Sequence, residues 1–139
     1  MGAADLNSIA SHPMVEVTAL CDVDANKLVA AQKLFPDAKV YSDYRRLFDE
    51  MGTAIDAVVV STPDHTHAVA CTEAIRRGKH LYCEKPLAHS IYEIRELMKA
   101  ARKHKVITQL GNQGHSFDHI RIFCEWIWDG AIGNVHTIH

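Results

Sequence analysis

Cys83-Glu84-Lys85-Pro86-Leu87 closes a short apolar run, Lys79 to Cys83, with a carboxylate, an amine and a proline in succession. An ammonium group there stands at the carboxyl end of a strand, the edge at which open α/β sheets bind ligands. Proline after the lysine fixes the turn and accepts a cis bond, which aims the lysine side chain in one direction. A partly desolvated lysine loses or shares a proton, so Lys85 can polarise a hydroxyl or carbonyl of a substrate. A lysine beside a proline is also an ordinary surface turn, and the triplet gains its meaning from its neighbours.

Other candidate groups follow other strand-like runs. Met1-Gly2 reads as the tail of a glycine-rich phosphate loop, with Gly2 as its last glycine opening a helix. A start residue followed by glycine is the plain alternative. Asp22 ends the next run about twenty residues on, where an acid bonds the ribose hydroxyls of NAD and repels the extra phosphate of NADP. A helix-capping aspartate has the same spacing. Ser61-Thr62-Pro63-Asp64-His65-Thr66-His67 ends the most apolar run, and small hydroxyls beside a rigid proline let a flat ring lie against the backbone. Gly111-Asn112-Gln113-Gly114-His115-Ser116 offers amide groups to a polyol or carboxamide, with Gln113 the candidate side chain; otherwise it is a loop ending in a serine cap. Among the ten histidines, His65 and His67 form the closest pair. Residues two apart on a helix do not share a face, and zinc-ligand spacing is absent, so no metal is expected. Cys21, Cys71, Cys83 and Cys124 are widely spaced in apolar patterns, which predicts buried free thiols.

The elements that must position these groups alternate regularly. Val15 to Cys21 reads as a strand, followed by a helix capped by Asp24 with Leu28, Val29, Leu34 and Phe35 inward. A short Lys39-Val40-Tyr41 strand precedes Ser42, the expected cap of a helix burying Tyr44, Leu47, Phe48 and Met51. Ala57 to Val60 is apolar throughout, as a parallel strand covered on both faces would be. The helix from His65 to Arg77 stops at Gly78, and Lys79 to Cys83 returns as a strand. Ser90 to Glu93 is a capping box for a helix with Ile91, Ile94, Leu97, Met98 and Ala101 inward. Val106 to Leu110 is the next strand, Phe117 to Trp128 the next helix, and 134–139 begins another strand-like run. A helix at Ala3 to Ala10 has no strand before it.

Such alternation predicts an α/β fold, a doubly wound parallel sheet with helices on both faces. In a dinucleotide-binding sheet the first strand is central, so this sheet is expected to lack its first strand and to be a fragment. Residues 1–133 are then a truncated dinucleotide-binding domain, and 134–139 the start of a C-terminal substrate and oligomerisation domain. At 139 residues the chain can bury one core. A net charge of -2 makes no electrostatic case for nucleic acid or anionic membrane, and no apolar run is long enough to span a bilayer. Met1-Gly2-Ala3-Ala4-Asp5 lacks the basic and apolar blocks of an export leader. Cytoplasm is the default compartment, with the periplasm the alternative if an export signal precedes Met1.

Cys21-Asp22-Val23-Asp24, Ser61-Thr62-Pro63 with His67, Glu84-Lys85-Pro86 and Ile132-Gly133-Asn134-Val135 together resemble the Gfo/Idh/MocA family, over nearly all the chain. The resemblance implies an N-terminal Rossmann domain binding NAD or NADP and a C-terminal α/β domain that supports substrate binding and homo-oligomer contacts. It implies that Lys85 assists proton movement at a substrate hydroxyl, and that Glu84 and Pro86 set the lysine and cofactor geometry. Ser61, Thr62, Pro63 and His67 then lie beside the cofactor, and Asp22 holds the adenosine ribose and favours NAD. The expected activity is oxidation of a secondary hydroxyl of a sugar or polyol by NAD, with the fragment alone inactive. The alternatives are a glycosidase using transient sugar oxidation, and a non-catalytic nucleotide-binding module.

Overall fold

The structure, a computed structural model, describes residues 2–138. Its elements are α1 (Gly2–Ala10), β1 (Ala19–Cys21), α2 (Ala25–Leu34), β2 (Lys39–Tyr41), α3 (Tyr44–Met51), β3 (Ala57–Val60), α4 (Asp64–Arg76), β4 (His80–Glu84), α5 (Ile91–His104), β5 (Thr108–Gly111) and α6 (Asp118–Trp128). All strand pairs are parallel, as the βα alternation predicts. The strands form two sheets, β1-β2 and β3-β4-β5. Register sets Val60 opposite Cys83 and Glu84 opposite Gly111, so the loops after β3, β4 and β5 leave at one level. That level edge is where ligands bind in this fold class.

The main core lies where α3, α4 and α5 meet β3 and β4, around Phe48, Cys71, Ile75, Leu81, Cys83 and Leu97. A smaller cluster of Leu20, Leu28 and Ala38 joins α2 to the first sheet. Gly78 ends α4 with φ +73°, a conformation that favours glycine, and lets the Lys79 amide return to the Ala74 carbonyl at 3.0 Å. Ser90 and Glu93 form the capping box of α5.

Several expectations need correction. The strand read over Val15 to Cys21 is confined to Ala19–Cys21, because ladder bonds exist only where three-residue β2 lies alongside. The cap of α3 is Asp43, whose carboxylate accepts the Arg45 amide at 2.9 Å, and not Ser42. The Arg45 side chain and amide on that carboxylate hold it down at about 2. β3 is covered on one face only: Val58 and Val60 join the core while Ala57 and Val59 are exposed. Val29, Leu34, Ile91 and Met98, expected inward, are exposed, since each helix meets its sheet along a narrower stripe. Cys71 and Cys83 are buried, but Cys21 is exposed and Cys124 half-buried; all are free thiols. Residues 134–138 form no strand, and His139, like Met1, lies outside the described residues.

Candidate functional site

Alternation along β4 sends Leu81 and Cys83 into the core and puts Tyr82 and Glu84 on the other face. Glu84, 3% exposed, ends the strand. Its Oε1 accepts from the Tyr82 hydroxyl at 3.0 Å and from Gln113 Nε2, which also donates to the Tyr82 oxygen at 3.3 Å. Oε2 is buried with no partner among the described residues. Burial, and then the bonded Glu84 carboxylate, push the Tyr82 hydroxyl up to about 12. Gly111 stands opposite Glu84, and a Cβ there would meet the Glu84 carboxylate, with Cδ 2.7 Å and the Tyr82 oxygen 2.8 Å away. Glycine at 111 is therefore what allows the carboxylate to sit between β4 and β5.

Lys85 follows as an exposed side chain with no ion pair among the described residues, and the Lys85–Pro86 bond is cis. The chain by itself does not desolvate this lysine. Gln113 opens a 3₁₀ turn, Gln113–Ser116, after β5, which brings its amide to Glu84.

At the end of β3, Ser61 Oγ donates to Asp5 Oδ2 at 2.6 Å, and Asp5 is 6% exposed. A Cβ on Gly2 would lie 3.7 Å from Ser61 Cβ, an ordinary contact, so Gly2 sits close to this loop without steric need for glycine. The Thr66 hydroxyl donates to the Pro63 carbonyl at 2.7 Å and lies 2.8 Å from the Thr62 hydroxyl. His67 is fully buried, with Nε2 2.7 Å from the Thr62 carbonyl oxygen and Nδ1 2.8 Å from that of Pro86.

Asp22 leaves β1 with its amide on the Tyr41 carbonyl at 3.2 Å. Its Oδ1 accepts the Asp24 amide at 2.9 Å, while Asp24 caps α2. The spacing left ribose acid and helix cap open for Asp22; the cap is Asp24, and Asp22 braces it. Partial desolvation of the otherwise exposed Cys21 side chain, with Asp43 and Asp22 nearby, pushes that thiol up to about 11.

The structure thus brings Glu84 and Gln113 together, joins His67 to Thr62 and Pro86, and sets Gly2 beside Ser61. Tyr82 and Asp5 adjoin these residues and were missed, and Gly111 was read only as the start of a polar loop. Only the i, i+2 alternation from Glu84 pointed to Tyr82; Asp5 and Gly111 gave no local signal. No group of three or more metal-ligating side chains occurs among the described residues. An open groove of about 330 Å³ between α4 and α5, lined by Val69, Glu73, Tyr92 and Glu96, contains none of the candidate residues.

Residues 1–112 match the GFO_IDH_MocA family, described as an oxidoreductase family with an NAD-binding Rossmann fold. The chain is 32% identical over 99 residues to inositol 2-dehydrogenase of Salmonella typhimurium, covering 70% of this chain and 29% of that one. It is 28% identical over 123 residues to 2,7-anhydro-N-acetylneuraminate hydratase of Mediterraneibacter gnavus, covering 88% and 32%. The crystal structure of scyllo-inositol dehydrogenase from Lactobacillus casei, with bound NAD(H) and scyllo-inositol, superposes with a TM-score of 0.79 at 27% identity, over 96% of this chain and 39% of that one. The chain spans two fifths or less of the length of the curated relatives it matches.

Proposed function

The chain belongs to the Gfo/Idh/MocA oxidoreductase family, and from that premise we propose that it is the cofactor-binding part of an NAD-dependent enzyme acting on a secondary hydroxyl of a sugar or polyol. The observation that carries the reading is the edge formed by β3, β4 and β5, where an exposed Lys85 adjoins the buried Glu84, one of whose oxygens has no partner. A buried carboxylate oxygen without a donor is costly, and a ligand offering N–H or O–H relieves that cost. The residues fit a nicotinamide dinucleotide. Asp22, steadied by the Asp24 amide, is the acceptor for ribose hydroxyls and disfavours a 2′-phosphate, hence NAD over NADP. The amino end of α1 at Gly2, beside Ser61, suits a pyrophosphate. Thr62 and Pro63 form the wall after β3, stiffened by Thr66.

When bound beside Asp22, Ser61, Thr62 and Pro63, a nicotinamide cofactor would supply the hydride acceptor for the carbinol carbon. Lys85 bonds the substrate oxygen and moves the hydroxyl proton as the carbonyl forms. Glu84, gripped by Tyr82 and Gln113, fixes the backbone from which Lys85 projects. Lys85→Ala in the full polypeptide is expected to lower turnover by about 10²–10⁴-fold while NAD still binds. An unchanged rate would remove Lys85 from the reaction.

A second reading has one specific support, the similarity to a protein named as a hydratase. In it, transient oxidation of a sugar carbon acidifies the neighbouring C–H for elimination, and the hydride returns. A glycosidase of this type shares that step. Accumulation of NADH with a free sugar favours the dehydrogenase; sugar turnover without NADH favours the second reading. A non-catalytic nucleotide-binding module has no use for Lys85, so a full polypeptide that binds NAD but is indifferent to Lys85→Ala would support it. We also propose that residues 134–139 lead into a second, substrate-binding and oligomer-forming domain.

A further inference from the structure

We propose that His67 is a positioning residue for Lys85, its two ring nitrogens held between main-chain carbonyls so that it ties the loop after β3 to the turn after β4; the inference rests on the role given to Lys85 above. The ring is fully buried and sits in the first turns of α4, where side chains lean back toward the helix amino end. Its partners are main-chain carbonyls of two different loops, Thr62 O at 2.7 Å and Pro86 O at 2.8 Å. Among the described residues no other side chain bonds both loops. Cys83 Sγ reaches the second loop at Leu87 O, 3.9 Å away, but not the first.

The chemistry of the partners constrains the ring. Carbonyl oxygens only accept. An imidazole with one N–H satisfies one of them and turns a lone pair against the other; a ring with N–H on both nitrogens satisfies both. Prolines at 63 and 86 each remove one amide donor from these loops, and the imidazole supplies donors from the side. The Pro86 carbonyl is one peptide beyond Lys85, so holding it fixes the chain direction from which the lysine leaves. Histidine at 67 thereby sets how far the lysine stands from the wall formed by Thr62 and Pro63. An orientation error of about 1 Å at a reacting group costs on the order of 10²-fold in rate.

The test is a double-variant cycle in the full polypeptide, with kcat and KM measured for a polyol substrate and NAD. His67→Ala is expected to lower kcat by about 10²-fold, with KM for both substrates little changed. In a Lys85→Ala background the same substitution is expected to have almost no further effect. Additive losses, or an unchanged kcat in His67→Ala alone, overturn the proposal. Should His67→Ala fail to fold, His67→Gln, whose single amide nitrogen cannot reach both loops as the two ring nitrogens do, takes its place and is expected to fall between wild type and Lys85→Ala. A Lys85→Ala enzyme with full turnover instead defeats the reading of the site, an outcome distinct from additive losses in the cycle.

Discussion

Glu84 accepts on one oxygen from two side chains that lie far apart in the chain, Tyr82 and Gln113, while its other oxygen is buried without a partner. The Tyr82 hydroxyl is bound to that anion and is half-buried, which is why it holds its proton up to about 12. Because the folded value exceeds the unfolded value of about 10, the folded state binds this proton more tightly. The stabilisation is complete below pH 10 and is lost as pH rises through 12. Between about pH 9 and about pH 11.5 the denaturant midpoint should therefore fall more for the wild type than for Tyr82→Phe. Equal falls would show that this hydroxyl is not the group titrating. The motif itself was legible, since Glu84-Lys85-Pro86 is contiguous and proline leaves a strong local mark. Gly111 was read only as part of a polar loop, because the reason for a glycine there is a carboxylate on the neighbouring strand, and cross-strand contacts leave no trace in local spacing.

At the scale of the element, the capping box of α5 was legible because both of its residues lie within one turn. Ser90 accepts the Glu93 amide at 3.3 Å and Glu93 accepts the Ser90 amide at 2.9 Å. Ser90→Ala is expected to lose about 1 kcal/mol, read as a shift in denaturant midpoint with an unchanged slope. The inward stripe of the same helix was read too widely. Leu97 is 4% exposed, whereas its neighbour Met98 is 47% exposed. Periodicity reports which side of a helix is apolar, but how much of that side is covered depends on the packing partner. Leu97→Ala should accordingly cost about 2–5 kcal/mol, and Met98→Ala should lie within about 0.5 kcal/mol of wild type. Equal losses at the two positions would contradict the placement of α5.

At the scale of the whole molecule, the described strands form two separate parallel sheets, β1-β2 and β3-β4-β5, where a doubly wound fold has one. Neither β1 nor β3 has a partner on its second edge among the described residues, and β3 shows Val59, 42% exposed, on its uncovered face. A strand between β1 and β3 would join the two sheets and direct the amino end of α1, at Gly2, to the same edge as Asp22, Ser61 and Lys85. Calorimetric titration of NAD and NADP separates the possibilities, using this 139-residue chain beside an extended polypeptide that supplies a strand between β1 and β3. The extended protein is expected to bind NAD more tightly than NADP and to unfold in one cooperative transition. The 139-residue chain is expected to bind neither and to melt broadly. Tight binding and a sharp transition in the shorter chain would mean that β1 and β3 tolerate their open edges, and that the dinucleotide is held without a central strand. Loss of the NAD preference in Asp22→Ala of the extended protein would in turn tie the discrimination to that carboxylate, through the repulsion it exerts on a 2′-phosphate.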